Sequence, residues 1–203
     1  MQQSDATLQS EEYAVIAAVL DTCYDLPQLL YRRQVILLSA YTAVPPKFQK
    51  GLPSQWPPVA YFPGFEYPQD DLRPQDTSEA AILDRLQDDL PQLDWPSLRR
   101  DFQRLNARRF RLDSASIPIS RSVLLFDSSA SSIKTLWNSK VDLSPDSKTG
   151  RPAWLSRVAF NPSHDQALVY YIEEGDGFSE WYLTLTKEKS HWVVRRGRGH
   201  AGI

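Results

Sequence analysis

The last third of the chain constrains the fold most, because its periodicity changes there from the helical to the extended kind. Trp154 to Phe160, Ala167 to Ile172, Trp181 to Thr186 and His191 to Val194 are four runs rich in aromatic and β-branched residues, which suit a pleated, half-buried surface. Turn chemistry separates them: Asn161-Pro162-Ser163-His164-Asp165, then Gly175-Asp176-Gly177, then Lys187-Glu188-Lys189-Ser190. Connections this short join antiparallel neighbours, so the runs predict a meander. Two earlier segments, Gln34 to Thr42 and Ser122 to Phe126, also read as strands. Gly197, Gly199 and Gly202 predict a frayed tail over 195–203.

Helical signals fill the region before the meander. Ser10 caps a run with Glu11 and Glu12 in its first turn, where the helix dipole favours acids, and Tyr13, Ile16, Ala17 and Leu20 share one face. A first helix over about 11–23 follows. Ser78-Glu79 opens a second, with Ile82, Leu83, Leu86 and Leu90 on one side and Pro91 beyond its end. A third begins near Asp94 or Trp95, carries Pro96 in its first turn and places Trp95, Leu98, Phe102 and Leu105 together. Ser132 to Ser139 predicts one more short helix. The fold class expected is α+β: one domain over 1–203, with an antiparallel sheet covered on one face by the N-terminal helix and the helical pair.

Residues 45–74 interrupt this order with 8 of the 15 prolines and with Trp56, Tyr61, Phe62, Phe65 and Tyr67. Proline excludes helix and removes ladder donors, so the segment reads as a long loop. Its aromatics predict an ordered flap, with Trp56 and Phe62 as candidate binding residues.

A hydrophobic share of 41% and a charged share of 24% are those of a folded soluble chain. The single cysteine, Cys23, excludes an internal disulfide and a cysteine-based metal site. The apolar run Ala14–Leu20 is far short of the roughly 20 residues of a membrane span, and no Lys or Arg precedes it as in a signal peptide. A lost leader would place the protein outside the cytoplasm; otherwise it is cytoplasmic. Charge is divided: residues 1–94 carry 14 acids and 6 bases, residues 95–203 carry 11 acids and 17 bases. The halves are complementary, and the overall acidic balance, with a pI of about 5.9, argues against general nucleic-acid binding.

Arg99, Arg100, Arg104, Arg108, Arg109 and Arg111 place six arginines in thirteen residues. If the third helix continues through them, Arg100, Arg104, Arg108 and Arg111 fall within about 80° of one another, opposite Leu98, Phe102 and Leu105. The plain reading is a solvated face, or one paired with Asp84, Asp88 and Asp89; the functional one is a binding surface for phosphate or carboxylate. The histidines at 164, 191 and 200 lack ligand spacing, and Glu173, Glu174 and Asp176 read as a solvated turn, so no metal site is assigned. Neither a nucleophile elbow nor a phosphate loop is present, and no catalytic residue or cofactor is assigned.

The strand Leu155-Ser156-Arg157-Val158-Ala159-Phe160-Asn161, followed by Gln166-Ala167-Leu168-Val169-Tyr170-Tyr171 and by Trp181 to Leu185 with Trp192-Val193-Val194, resembles a family of uncharacterised bacterial proteins. The likeness extends to Tyr13-Ala14-Val15 and to Asp101-Phe102 with Asn106. Two features depart from the family pattern: Ala159 replaces its usual glycine, and Glu173 to Phe178 replaces a link often bearing Cys-Gly pairs. Many relatives look exported or lipid-anchored, and the resemblance implies no reaction, cofactor or catalytic residue. The function expected is a non-enzymatic binding or interaction protein whose partner is a protein or a small anionic ligand. The alternative is a hydrolase with carboxylates in a pocket.

Overall fold

The structure, a computed structural model, describes residues 8–24, 35–43, 78–126, 149–174 and 178–202. Among the described residues three α-helices stand where the apolar spacing puts them: α1 Ser10–Tyr24, α2 Glu79–Asp89 and α3 Trp95–Leu105. Ser78 caps α2 by accepting from the Ala81 amide at 3.3 Å, and Asp94 caps α3 by accepting from the Ser97 amide at 3.3 Å. The cap of α1 lies one residue earlier than expected. Gln9 gives its carbonyl to the Glu12 and Tyr13 amides, and its own N–H donates to Glu12 Oε2 at 3.0 Å, so Glu12 supplies the N3 half of a capping box at the helix start.

Among the described residues seven strands form one sheet: β1 Val35–Ser39, β2 Ser122–Phe126, β3 Thr149–Leu155, β4 Ala159–Phe160, β5 Gln166–Glu174, β6 Phe178–Glu188 and β7 His191–Gly202. Their order is β2-β1-β3-β5-β6-β7, with β4 beside β5. The fold is therefore α+β and ends in the meander β5-β6-β7. The sheet is mixed, however, because β1 runs parallel to both β2 and β3. Short turns dictate antiparallel pairing only from β4 onward; β1, β2 and β3 are far apart in sequence, which leaves room for parallel crossovers.

The helices lie on both faces of the sheet, which corrects the expectation that one face carries all three. Ala167, Val169 and Tyr171 of β5, with Trp181, Leu183 and Leu185 of β6, pack with α1. The alternate residues Leu168, Tyr170 and Tyr182 pack with Ile82, Leu83 and Leu86 of α2 and Trp95, Leu98 and Phe102 of α3. With period-two alternation, a strand buried on both sides shows apolar residues at every position, as 167–172 does. Helix α1 buries Val15 and Val19 as well as the predicted Ile16 and Leu20, because Phe110, Leu112 and Ile117 cover its outer side.

The tail is also corrected, since Arg195 to Gly202 continues β7 in antiparallel register with β6 down to the pair Phe178 and Gly202. Its glycines serve close approach. A Cβ on Gly197 would stand 2.7 Å from Leu183 Cδ2, and one on Gly199 would overlap the Glu180 carbonyl. Arg198 and Arg196 lock β7 to the end of α2 through Asp89, with Arg198 Nε at 2.7 Å and Arg196 Nε at 3.2 Å from Oδ2. An acid at a helix C-terminus opposes the dipole, and the two guanidiniums compensate it.

Burial raises the Asp89 carboxyl, but the bonds from Arg198 and Arg196 outweigh it and leave the group below its ordinary value. The bond from Lys187 likewise holds the Glu11 carboxyl low. Both groups ionise more readily folded than unfolded, so their contribution is present above the unfolded value, near pH 4, and disappears as pH falls through the folded one. Urea denaturation at stepped pH should show stability rising between about pH 2 and 5 and then levelling, and Asp89→Asn should flatten part of that rise. A flat acid limb in the wild type would contradict the lock.

No helix among the described residues is long and apolar enough to cross a membrane. The loop over 45–74, with Trp56 and Phe62, and the short helix over 132–139 lie outside the described residues.

Candidate functional site

After Leu155 the chain leaves the ladder for Ser156-Arg157-Val158 and re-enters it as β4. Backbone groups freed at such a break need partners, and three side chains supply them. Ser156 Oγ accepts from the Tyr170 amide at 2.9 Å and donates to the Arg157 carbonyl at 2.8 Å, standing in for a strand neighbour. Asn106, just past the end of α3, accepts from the Arg157 amide at 2.7 Å and donates to the same residue's carbonyl at 3.2 Å. Asp101 Oδ2, on α3 itself, accepts from the Phe160 amide at 3.1 Å. Helix α3 thereby closes the edge of the β3–β4 row with its own polar side chains.

The break also carries Arg157 inward to Glu12. These residues are only 8% and 1% exposed, and their charges meet as a fork: Nε to Oε1 at 2.8 Å and Nη2 to Oε2 at 2.7 Å. The Arg157 guanidinium also lies 4.2 Å from the ring centre of Phe110. Beyond β4, Asn161 organises the turn. Its Oδ1 accepts from the Asp165 and Gln166 amides, each at 3.1 Å, and its Nδ2 donates to Ser163 and Asp165. The bond from Asn161, reinforced by Ser163, lowers the Asp165 carboxyl. His164 turns the chain at a φ of 55° and stacks its ring on Phe160, with centres 4.8 Å apart. Phe160 in turn meets Trp192, whose indole N–H donates to Glu11 at 2.9 Å.

These groups surround a cleft of about 280 Å³. Gln9 and Glu12 of the α1 start form one wall, and Ser97, Arg100, Asp101, Arg104 and Leu105 of α3 form another. Arg157, Val158 and Phe160 make the floor, and His164 stands at the lip. Three guanidiniums and two carboxylates face the cleft, leaving one positive charge in excess. Arg104 is paired with Asp101, with Nε at 3.1 Å from Oδ1, whereas among the described residues Arg100 donates only to Ser97 Oγ, at 3.3 Å.

Of the residues singled out in the sequence, Arg100 and Arg104 meet in the cleft. Arg108 and Arg111 do not, because α3 stops at Leu105 with Asn106 as its C-cap, and helical spacing no longer applies beyond it. Arg108 lies over Phe110 instead, and Arg111 bridges to Tyr41. Arg99, which lies off that stripe, pairs with Asp84 2.8 Å away, whereas Arg104 of the stripe pairs with Asp101. Glu12, Asp101 and Arg157 are not among the residues that the sequence marks as a site: Arg157 and Asp101 stand in the runs quoted for the resemblance, which implies no role for them, and the fork from Glu12 to Arg157 spans 145 residues. Among the described residues, no three His, Cys, Asp or Glu side chains gather as metal ligands. No family model, curated protein or solved structure matches the chain.

Proposed function

We propose that the protein is a non-enzymatic binding protein that accepts an anionic group in the cleft between α1, α3 and the β4–β5 turn. The observation that carries this reading is Arg100, an exposed guanidinium at a concave, net-positive site whose described hydrogen bond is to a neutral hydroxyl. Guanidinium forks suit carboxylate and phosphate oxygens. As part of the same proposal, the residues by which the chain resembles the bacterial family build the frame of this cleft.

The hydrolase alternative draws less support from the geometry. Each cleft carboxylate already accepts three hydrogen bonds, Glu12 from Arg157 and the Gln9 amide and Asp101 from Arg104 and the Phe160 amide. With about four acceptor sites on a carboxylate, little capacity is left on either for a substrate proton. Calorimetric titration with small anions tests the proposal. Arg100→Gln should weaken binding about 10- to 100-fold, the worth of a charge-assisted bond, with the melting temperature unchanged. Turnover of ester or phosphoester substrates that is lost in Asp101→Asn would support the hydrolase instead.

A further inference from the structure

Resting on that reading, we infer that the anionic group is a carboxylate on a small molecule, and that Arg157 anchors it from the cleft floor. The Arg157 side chain is 10% exposed, and its Nε and Nη2 are both taken by Glu12. Its Nη1 forms no hydrogen bond among the described residues, and the side chain lines the cleft. The fork to Glu12 and the Phe110 ring hold the guanidinium in place, so Nη1 is an oriented donor that loses little freedom when a ligand arrives. Arg100 supplies a second donor from the rim.

Charge selects the ligand's valence. Three guanidiniums against Glu12 and Asp101 leave one positive charge, which a monoanion neutralises. A phosphate dianion would leave a negative charge beside two carboxylates in a partly enclosed site, where like charges are costly. Leu105 and Pro162 offer apolar surface beside the arginines, suited to a short hydrocarbon or aromatic body. The cleft volume of about 280 Å³ is roughly that of nine waters, and matches a ligand on the order of ten non-hydrogen atoms.

Calorimetric titration of the full chain at pH 8, where an ordinary histidine is neutral, separates the possibilities. The probes are propionate, benzoate, a blocked tripeptide bearing one glutamate, inorganic phosphate and sulfate. The free carboxylates should bind at least about tenfold tighter than phosphate or sulfate, and tighter than the tripeptide. Arg157→Lys, which keeps a cation for Glu12 but removes Nη1, should lose at least about tenfold in carboxylate affinity with an unchanged circular dichroism spectrum. Should that variant not fold, Leu105→Trp fills the cleft from α3 without touching the ion pair, and it must abolish carboxylate binding. Binding undiminished in Leu105→Trp overturns the inference. Preference for phosphate or sulfate overturns it while leaving the anion cleft intact, and preference for the tripeptide moves the carboxylate to an acidic segment of a protein. Binding of no probe removes the cleft reading itself.

Discussion

Glu12→Ala is expected to destabilise the protein by about 3–5 kcal/mol, the cost of leaving one partner of a buried ion pair without its counter-charge. Arg157 is 8% exposed in the native fold, and its Nε and Nη2 would face a hole where two carboxylate oxygens had been. The substitution also removes the carboxylate that accepts the Gln9 amide and so loosens the start of α1. Urea denaturation gives the magnitude, and a paired replacement explains it. Glu12→Leu with Arg157→Met removes both charges at similar volume, so its stability should return close to wild type. Anion binding should be lost in the double variant even as stability returns, because the floor donor has gone. A Glu12→Ala loss below about 1 kcal/mol would mean that the pair is solvated and does not join α1 to the β3–β4 break.

Trp192→Ala should cost a similar amount, about 3–5 kcal/mol, for emptying a large aromatic site in a packed core. The ring is 8% exposed, sits 5.7 Å from Phe160 and donates its N–H to Glu11. Trp192→Phe keeps the apolar contact and loses the hydrogen bond, so most of the stability should survive in it. Because the His164 ring stacks on Phe160, which Trp192 supports, the alanine variant should also loosen the lip of the cleft. Thermal melts monitored by circular dichroism measure the first effect. An unchanged melting temperature would contradict the placement of Trp192 in the core shared by α1 and the meander.

Local signals account for what was legible in the sequence. Ser78, Asp94 and Pro96 mark helix starts by side-chain chemistry confined to a few residues, and the turns of the meander declare antiparallel pairing by their brevity. The face of the sheet that each helix covers is set by contacts distant along the chain. A strand buried on both sides, such as 167–172, is equally apolar toward either layer. Gly197 and Gly199 read as flexible because glycine permits fraying, whereas here they admit Leu183 and the β6 backbone. At the site, Arg100 and Arg104 were visible as a helical pair, and the stripe was carried too far because an Asn C-cap does not interrupt a charge pattern. The fork between Glu12 and Arg157 spans 145 residues, and no local spacing announces it.

The measurement that bears most directly on the cleft is a nitrogen-15 amide spectrum of the folded chain titrated with benzoate at pH 8. If the site is the anion-accepting cleft, the amides of Arg100, Arg157, Phe160 and His164 shift together along one saturable isotherm, the Arg157 side-chain Nε signal moves with them, and the β7 amides from 193 to 200 stay still. Shifts confined to the exposed arginines at 108, 109 and 111, or scattered without saturation, would contradict it.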